Sequence, residues 1–130
     1  MKIAIITFLV IVIIGGVALF LLLPRNTQPQ VVGGQDNISI VDGKQIIEIS
    51  AKGGYSPRTT TAKASIPTVI KVKTSSTFDC SSALTIPSLN YRNNLPPTGE
   101  TSIEVSSQKP GTVMRGLCSM GMYNFTINFN

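Results

Sequence analysis

The sequence predicts an all-β domain of roughly seven or eight short strands preceded by one transmembrane helix. From about residue 37 onward, apolar and polar side chains alternate with a period of two, and proline and glycine interrupt the alternation at short intervals. Residues 3–23, in contrast, form one apolar run without a charged side chain. Short strands at this spacing are typical of a β-sandwich or β-barrel, and we expect the sheets to be antiparallel.

The apolar run reads IAIITFLVIVIIGGVALFLLL and has Thr7 as its only polar side chain. At ~1.5 Å per residue, a helix of this length spans about 31 Å, which matches the hydrocarbon core of a bilayer. A cleavable signal peptide is the alternative, but its apolar core would be shorter, and no small-x-small cleavage site follows the apolar run before Pro24 and Arg25. We therefore predict an N-terminal anchor over residues 1–25, with residues 3–23 in contact with the lipid bilayer.

The charges that flank the apolar run predict its orientation. Lys2 and the amino terminus lie on one side and Arg25 on the other, so the positive-inside rule weakly favours a cytoplasmic N-terminus. The domain would then be extracytoplasmic. In that oxidising environment a free thiol pair needs protection from oxidation, such as a bound metal. Residues 26–36 read NTQPQVVGGQD, which predicts a flexible tether between the anchor and a folded domain over residues 37–130.

The strands of the domain follow from the alternation and from the turn residues. Asp42-Gly43 lies between two apolar alternations and predicts a β-hairpin with its second arm at residues 46–49. In the last segment Tyr123, Phe125, Ile127 and Phe129 share one face, which predicts a half-buried strand whose aromatic side chains belong to the core. Further strands are predicted at residues 59–64, 68–74, 83–86, 101–105, 112–117 and 123–129.

A sulfur-rich loop precedes the last predicted strand. Cys118 is followed two and four residues later by Met120 and Met122, and Gly121 between them allows a tight turn. Thiolate and thioether sulfur favour copper(I) over magnesium, calcium or manganese. Because the sequence contains no histidine, neither a blue-copper site nor an imidazole-ligated zinc site can form. The loop therefore predicts a copper(I) site at which silver(I) competes.

The chain has one other cysteine, Cys80. If the fold brings Cys80 beside Cys118, the site contains two thiolates and two candidate thioethers. A structural disulfide, common in exported domains, is the alternative for the same pair, and it would add about 4 kcal/mol of stability on the chain-entropy model. The adjacent methionines favour the metal hypothesis, but the residues alone leave both open. Asp79 is expected to be a solvated loop residue, and Met114 is expected in the core.

Other classes of function are disfavoured. The chain lacks histidine for acid–base work, paired carboxylates at an informative spacing, and a phosphate-binding loop, so we do not expect an enzyme. The net charge is +5, and without Lys2 and Arg25 nine basic residues face six acidic ones, a balance of +3. These basic residues are scattered without interleaved aromatics, which predicts no nucleic-acid binding and suits a domain near an anionic membrane surface.

Three features of the sequence together resemble a known family. A Gly-Tyr-Ser-Pro turn at 54–57, Cys80, and the Cys-x-Met-x-Met loop at 118–122 are similar to the cupredoxin-like domain of membrane-anchored or exported copper-handling proteins, which is related to plastocyanin. The resemblance covers about 90 residues and implies a Greek-key sandwich in which Cys80 and the C-terminal loop meet at one end. The segment before Cys118 departs from the family, since it lacks aromatic residues, and its Gly116 is expected to mark a bulge.

From these observations we expect an exported, membrane-tethered protein that binds copper(I) through Cys80, Cys118 and one or both of Met120 and Met122. Copper held by sulfur alone remains in one oxidation state, which indicates storage, transfer or homeostasis and disfavours electron transfer. A membrane copper transporter is the expected partner. The alternative is a metal-free, disulfide-closed β-sandwich that serves as an exported structural or interaction module.

Overall fold

The computed structural model describes residues 35–130, together with Gln30, Val31 and the isolated residues Met1, Ile5 and Ile13. Apart from these isolated residues, the predicted transmembrane anchor lies outside the described residues. Among the described residues, none of the helices has the length and hydrophobicity of a membrane span.

Eleven strands are found in the described residues, and they form two sheets. In chain order they are β1 (Gln30–Val31), β2 (Ile38–Val41), β3 (Lys44–Ala51), β4 (Tyr55–Ser56), β5 (Thr59–Ala62), β6 (Thr68–Thr74), β7 (Ala83–Ile86), β8 (Tyr91–Asn94), β9 (Gly99–Val105), β10 (Val113–Cys118) and β11 (Asn124–Phe129). Eight of them correspond to the predicted strands. The other three are short: β1 lies in the expected tether, β4 has two residues, and β8 is polar without an alternating pattern.

The two sheets have the strand orders β1-β2-β3-β6-β9, with β4 also paired to β3, and β5-β11-β10-β7-β8. The expectation of purely antiparallel sheets is wrong, since β3 runs parallel to β6 and β5 runs parallel to β11. The strand β5, which lies between β3 and β6 in the chain, belongs to the second sheet. The chain therefore leaves the first sheet and re-enters it in the same direction. The predicted fold class, an all-β two-sheet sandwich, is confirmed.

The first hairpin has the predicted position. Val41 of β2 pairs with Lys44 of β3, so Asp42 and Gly43 form a two-residue turn, and both have positive φ angles of 50° and 75°. Such a turn matches the right-handed twist of paired strands. The second arm of this hairpin is β3, the longest strand in the described residues, which ends at Ala51.

The hydrophobic core lies between the two sheets. In the last strand Phe125, Ile127 and Phe129 are fully buried, which confirms the predicted face. Tyr123, the residue before the strand begins, is partly buried and packs against the same core. Met114 is also buried in this core, as expected. The remaining core side chains come mainly from β3, β6, β7 and β9: Ile47, Ile49, Ile70, Val72, Leu84, Ile86, Ile103 and Val105.

Candidate metal centre

Cys80 opens a single 3-10 turn, Cys80–Ser82, in the connection between β6 and β7. Asp79 caps this turn: its carboxylate accepts hydrogen bonds from the backbone amide of Ser81 at 2.8 Å and from the Ser81 hydroxyl. The same carboxylate accepts a bond from the Gly53 amide at 2.9 Å. Asp79 therefore ties the turn that carries Cys80 to the loop after β3, and it holds the backbone of Cys80 in place.

The segment before Cys80 is anchored by Thr77. Its buried hydroxyl donates a hydrogen bond to the Ala51 carbonyl, and its amide donates one to the Pro97 carbonyl at 2.8 Å. The next residue, Phe78, is 81% exposed. The sequence signal for this exposed aromatic group is an apolar residue within the polar run Ser-Ser-Thr-Phe-Asp, and Phe78 is not among the predicted site residues.

Cys118 is the last residue of β10, and the pairing of β10 with β7 places it near Cys80. It lies opposite Leu84 of β7, the strand that follows the Cys80 turn, and its side chain is fully buried. The amide of Cys118 donates to the Tyr123 carbonyl at 3.0 Å, which closes the loop between β10 and β11. In return, the Tyr123 amide donates to the Cys118 sulfur at 3.4 Å. A backbone donor of this kind stabilises negative charge on the sulfur.

The two cysteines meet, as both hypotheses about them require. Their Cα atoms are 5.7 Å apart, and their Sγ atoms are bonded to each other as a disulfide. Among the described residues no cysteine is free. The convergence of two sulfur atoms from positions 38 residues apart is thus a feature of the fold.

The two methionines lie at the same end of the sandwich but outside its core. Met120 is 74% exposed and Met122 is 63% exposed, on either side of Gly121. The φ angle of Gly121 is +72°, a conformation that glycine adopts without strain and that turns the loop tip. The structure therefore brings the two cysteines together and leaves the two thioether side chains at the surface beside them.

The other residues considered near the cysteines have structural roles. The hydrogen bonds that Asp79 accepts lower the pKa of its carboxyl group, first through Ser81 and then through Gly53. Tyr55 donates from its hydroxyl to the Ser81 carbonyl at 3.0 Å, and burial, with the nearby charge of Asp79, raises the pKa of Tyr55 to about 12. Asp79 is thus more than a solvated loop residue, and Tyr55 remains a neutral donor under the Cys80 turn.

The expectation of a bulge at Gly116 is wrong. The pairing of β10 with β11 is regular through this position, and Gly116 lies opposite Phe125. The ring of Phe125 packs edge-on against Tyr55, with the ring centroids 5.2 Å apart. The aromatic packing beneath the loop therefore comes from Phe125 of β11. Aromatic residues immediately before Cys118 are not needed for this packing.

The donor set fits a soft monovalent metal better than a hard one. In the described part of the chain no three cysteine, aspartate or glutamate side chains cluster as metal ligands, and the sequence has no histidine. Sulfur atoms of the paired cysteines and the adjacent methionines are the remaining candidates. Copper(I) and silver(I) accept such ligands, whereas zinc gains little from thioether sulfur.

Comparisons with known proteins agree with this architecture. The sequence model of the cupredoxin-like domain family matches residues 11–129. The metal-binding domain of the Streptococcus pneumoniae D39 Cu(I)-exporting P-type ATPase CopA, solved with Cu(I), superposes with a TM-score of 0.63 at 21% identity, covering 72% of this chain and 92% of that domain. A copper binding protein solved in its apo form gives a TM-score of 0.64 at 22% identity and covers 72% and 94% of the two chains. No curated protein matches the sequence.

Proposed function

Because this chain belongs to the family of cupredoxin-like domains, we propose that it binds copper(I) as cargo through the sulfur atoms of Cys80 and Cys118. Met120, Met122 or both complete the coordination. The meeting of the two cysteines at the base of a loop with two methionines is the observation that carries this proposal. The similar domain from the CopA ATPase, whose structure contains Cu(I), supports it.

Copper binding requires the cysteines in their reduced form. Reduction of the disulfide to two thiols takes two electrons from a thiol or phosphine reductant. The two protons come from the reductant thiols or, with a phosphine, from the water that is consumed in forming the phosphine oxide. Copper(I) then displaces the thiol protons, since the thiolate is the metal ligand. To serve as a ligand, the exposed thioether of Met120, of Met122 or of both would have to turn toward the cysteine sulfurs.

A site made of sulfur alone holds copper in its monovalent state, because copper(II) prefers nitrogen and oxygen ligands. Storage, transfer or homeostasis of copper is therefore the proposed role, with silver(I) as a competitor. In the setting that the sequence predicts, residues 3–23 anchor the chain in the membrane and the domain is extracytoplasmic. A membrane copper transporter is the proposed exchange partner.

A second candidate function is a disulfide-closed structural or interaction module, which the bonded Sγ atoms favour. Closing a loop across 38 residues would stabilise the fold by about 4 kcal/mol on the chain-entropy model. In this case the cysteines remain oxidised under the conditions in which the protein works. The exposed methionines then have no metal to bind.

Thiol counting combined with copper analysis separates the two functions. The full chain is purified without reductant, and its free thiols and bound copper are measured before and after reduction and addition of copper(I). Tight binding of copper(I) by the reduced chain, and its loss in Cys118→Ser, support the copper function. Met114→Leu is the matched control, because it removes a thioether from the core and should leave copper binding unchanged. A reduced wild-type chain that binds no copper overturns the proposal.

A further inference from the structure

A cleft with a volume of about 370 Å³ lies beside the loop that carries Met122. Its walls come from the loop after β3, from β4 and the segment that follows it, and from the end of the loop before β11 with the first residue of that strand. The chemically distinctive side chains in its lining are Lys52, Arg58 and Met122, and Ser56 and Asn124 add neutral polar groups. A candidate copper ligand therefore shares a small-molecule-sized cleft with two cations.

These two cations differ from several others on the surface. Three lysines of the first sheet pair with glutamates: Lys44 with Glu104, Lys71 with Glu100, and Lys73 with Glu48. In the described part of the chain, neither Lys52 nor Arg58 forms a salt bridge. Both side chains are exposed and so are available to an anion from solution.

Asp79 is not part of the cleft lining, although its carboxylate accepts a hydrogen bond from the amide of Gly53, which is a lining residue. No carboxylate is found among the residues that line the cleft. A guanidinium group and an ammonium group facing one small volume favour a ligand with carboxylate groups, which arginine binds in a bidentate manner.

Copper(I) reaches a protein bound to a carrier ligand, and this cleft has the charge to select such a carrier. We propose that Lys52 and Arg58 form a subsite for the carboxylate groups of a small anionic copper(I) complex, which docks there while its metal passes to the sulfur of Met122. The bond between copper and the carrier breaks as the bond to sulfur forms. Copper remains monovalent, and the carrier leaves with its donor electron pair. This inference rests on the proposed copper function.

The rate of copper transfer tests the subsite. The reduced full chain, in neutral detergent, is mixed by stopped flow with the copper(I) complex of bicinchoninate, which carries carboxylates, or with the cationic copper(I) complex of neocuproine. In Lys52→Gln/Arg58→Gln we expect the second-order rate with bicinchoninate to fall about tenfold or more, since charge steering of ligands is worth about 10- to 1,000-fold. The rate with neocuproine should not fall. Added salt should slow the bicinchoninate reaction of the wild type and affect the variant little.

The double variant Lys63→Gln/Lys109→Gln is the matched control. It removes the same charge at the other end of the sandwich, because Lys63 follows the end of β5 that pairs with Phe129, and Lys109 precedes β10, which ends at Cys118. Equal bicinchoninate rates in the cleft and control variants overturn the subsite. Charge reversal by Lys52→Glu/Arg58→Glu should slow copper transfer from the bicinchoninate complex further and accelerate transfer from the neocuproine complex. The absence of this inversion also overturns the subsite. Failure of the wild type to take copper from either complex instead contradicts the proposed function.

Discussion

The ring of Phe125 occupies the space in which any side chain at position 116 would lie. A Cβ atom built on Gly116 would be 2.2 Å from both Cε1 and Cζ of Phe125, closer than non-bonded atoms approach. Gly116, which lies two residues before Cys118, is thus required by the ring of Phe125 on the neighbouring strand β11. The packing of one aromatic ring and the position of a candidate ligand are coupled through this glycine.

Gly116→Ala is expected to destabilise the domain by about 1 to 3 kcal/mol or more, because the ring must leave its position in a packed core. Urea unfolding of the oxidised wild type and variant measures the difference. Phe125→Leu in the Gly116→Ala background should recover part of the loss, since the smaller side chain makes room for the methyl group. If the two substitutions are simply additive, the ring does not cause the loss.

Tyr55→Phe removes the hydroxyl that donates to the Ser81 carbonyl and leaves a buried acceptor without its partner. We expect a loss of about 1 to 3 kcal/mol in the free energy of unfolding. The raised pKa adds a dependence on pH. The folded value is about 12 and the unfolded value is 10.0, so the contribution of Tyr55 is present below pH 10 and declines as the pH rises toward 12. Unfolding free energies measured from pH 8 to 12 should therefore converge for the wild type and Tyr55→Phe.

Asp79→Asn should weaken the cap on the Cys80 turn at neutral pH, because an amide group is a poorer acceptor for the Ser81 and Gly53 amides than a carboxylate. The pKa of Asp79 is lowered in the folded state from 3.8. Its contribution to stability is therefore fully present above that value and is lost as the pH falls through the lower folded pKa. Between pH 7 and about pH 4, the unfolding temperatures of the wild type and Asp79→Asn should differ by a constant amount. Below about pH 4 this difference should shrink. A difference independent of pH would mean that the charge of Asp79 is unimportant.

Met120→Leu/Met122→Leu is expected to leave the stability of the metal-free domain unchanged within about 0.5 kcal/mol, because both side chains are largely exposed. Leucine matches methionine in volume but has no sulfur. Copper(I) affinity, measured by competition with a chelator, should fall by at least about tenfold, or about 1.4 kcal/mol. The two single variants would show which thioether is a ligand. Unchanged affinity in the double variant would limit the site to the two cysteines.

Local patterns in the sequence were sufficient to predict most of the strands of the sandwich. The turn at Asp42-Gly43 and the alternation in 123–129 predicted their elements because turn geometry and period-two burial depend on neighbouring residues alone. The parallel pairing of β3 with β6 could not be predicted, since it depends on the path of the chain between the two sheets. Expecting a bulge at Gly116 was an error of the same kind, because the reason for this glycine lies on another strand.

The sequence by itself determined the chemistry available to this protein: sulfur donors, no imidazole, and a fold made of short strands. Only the tertiary structure decided that Cys80 and Cys118 meet, that Met120 and Met122 remain at the surface, and that Lys52 and Arg58 share a cleft with Met122. Residue types and local spacing are properties of the chain, whereas proximity between distant segments arises from the packing of two sheets, which places their connecting loops together at one end.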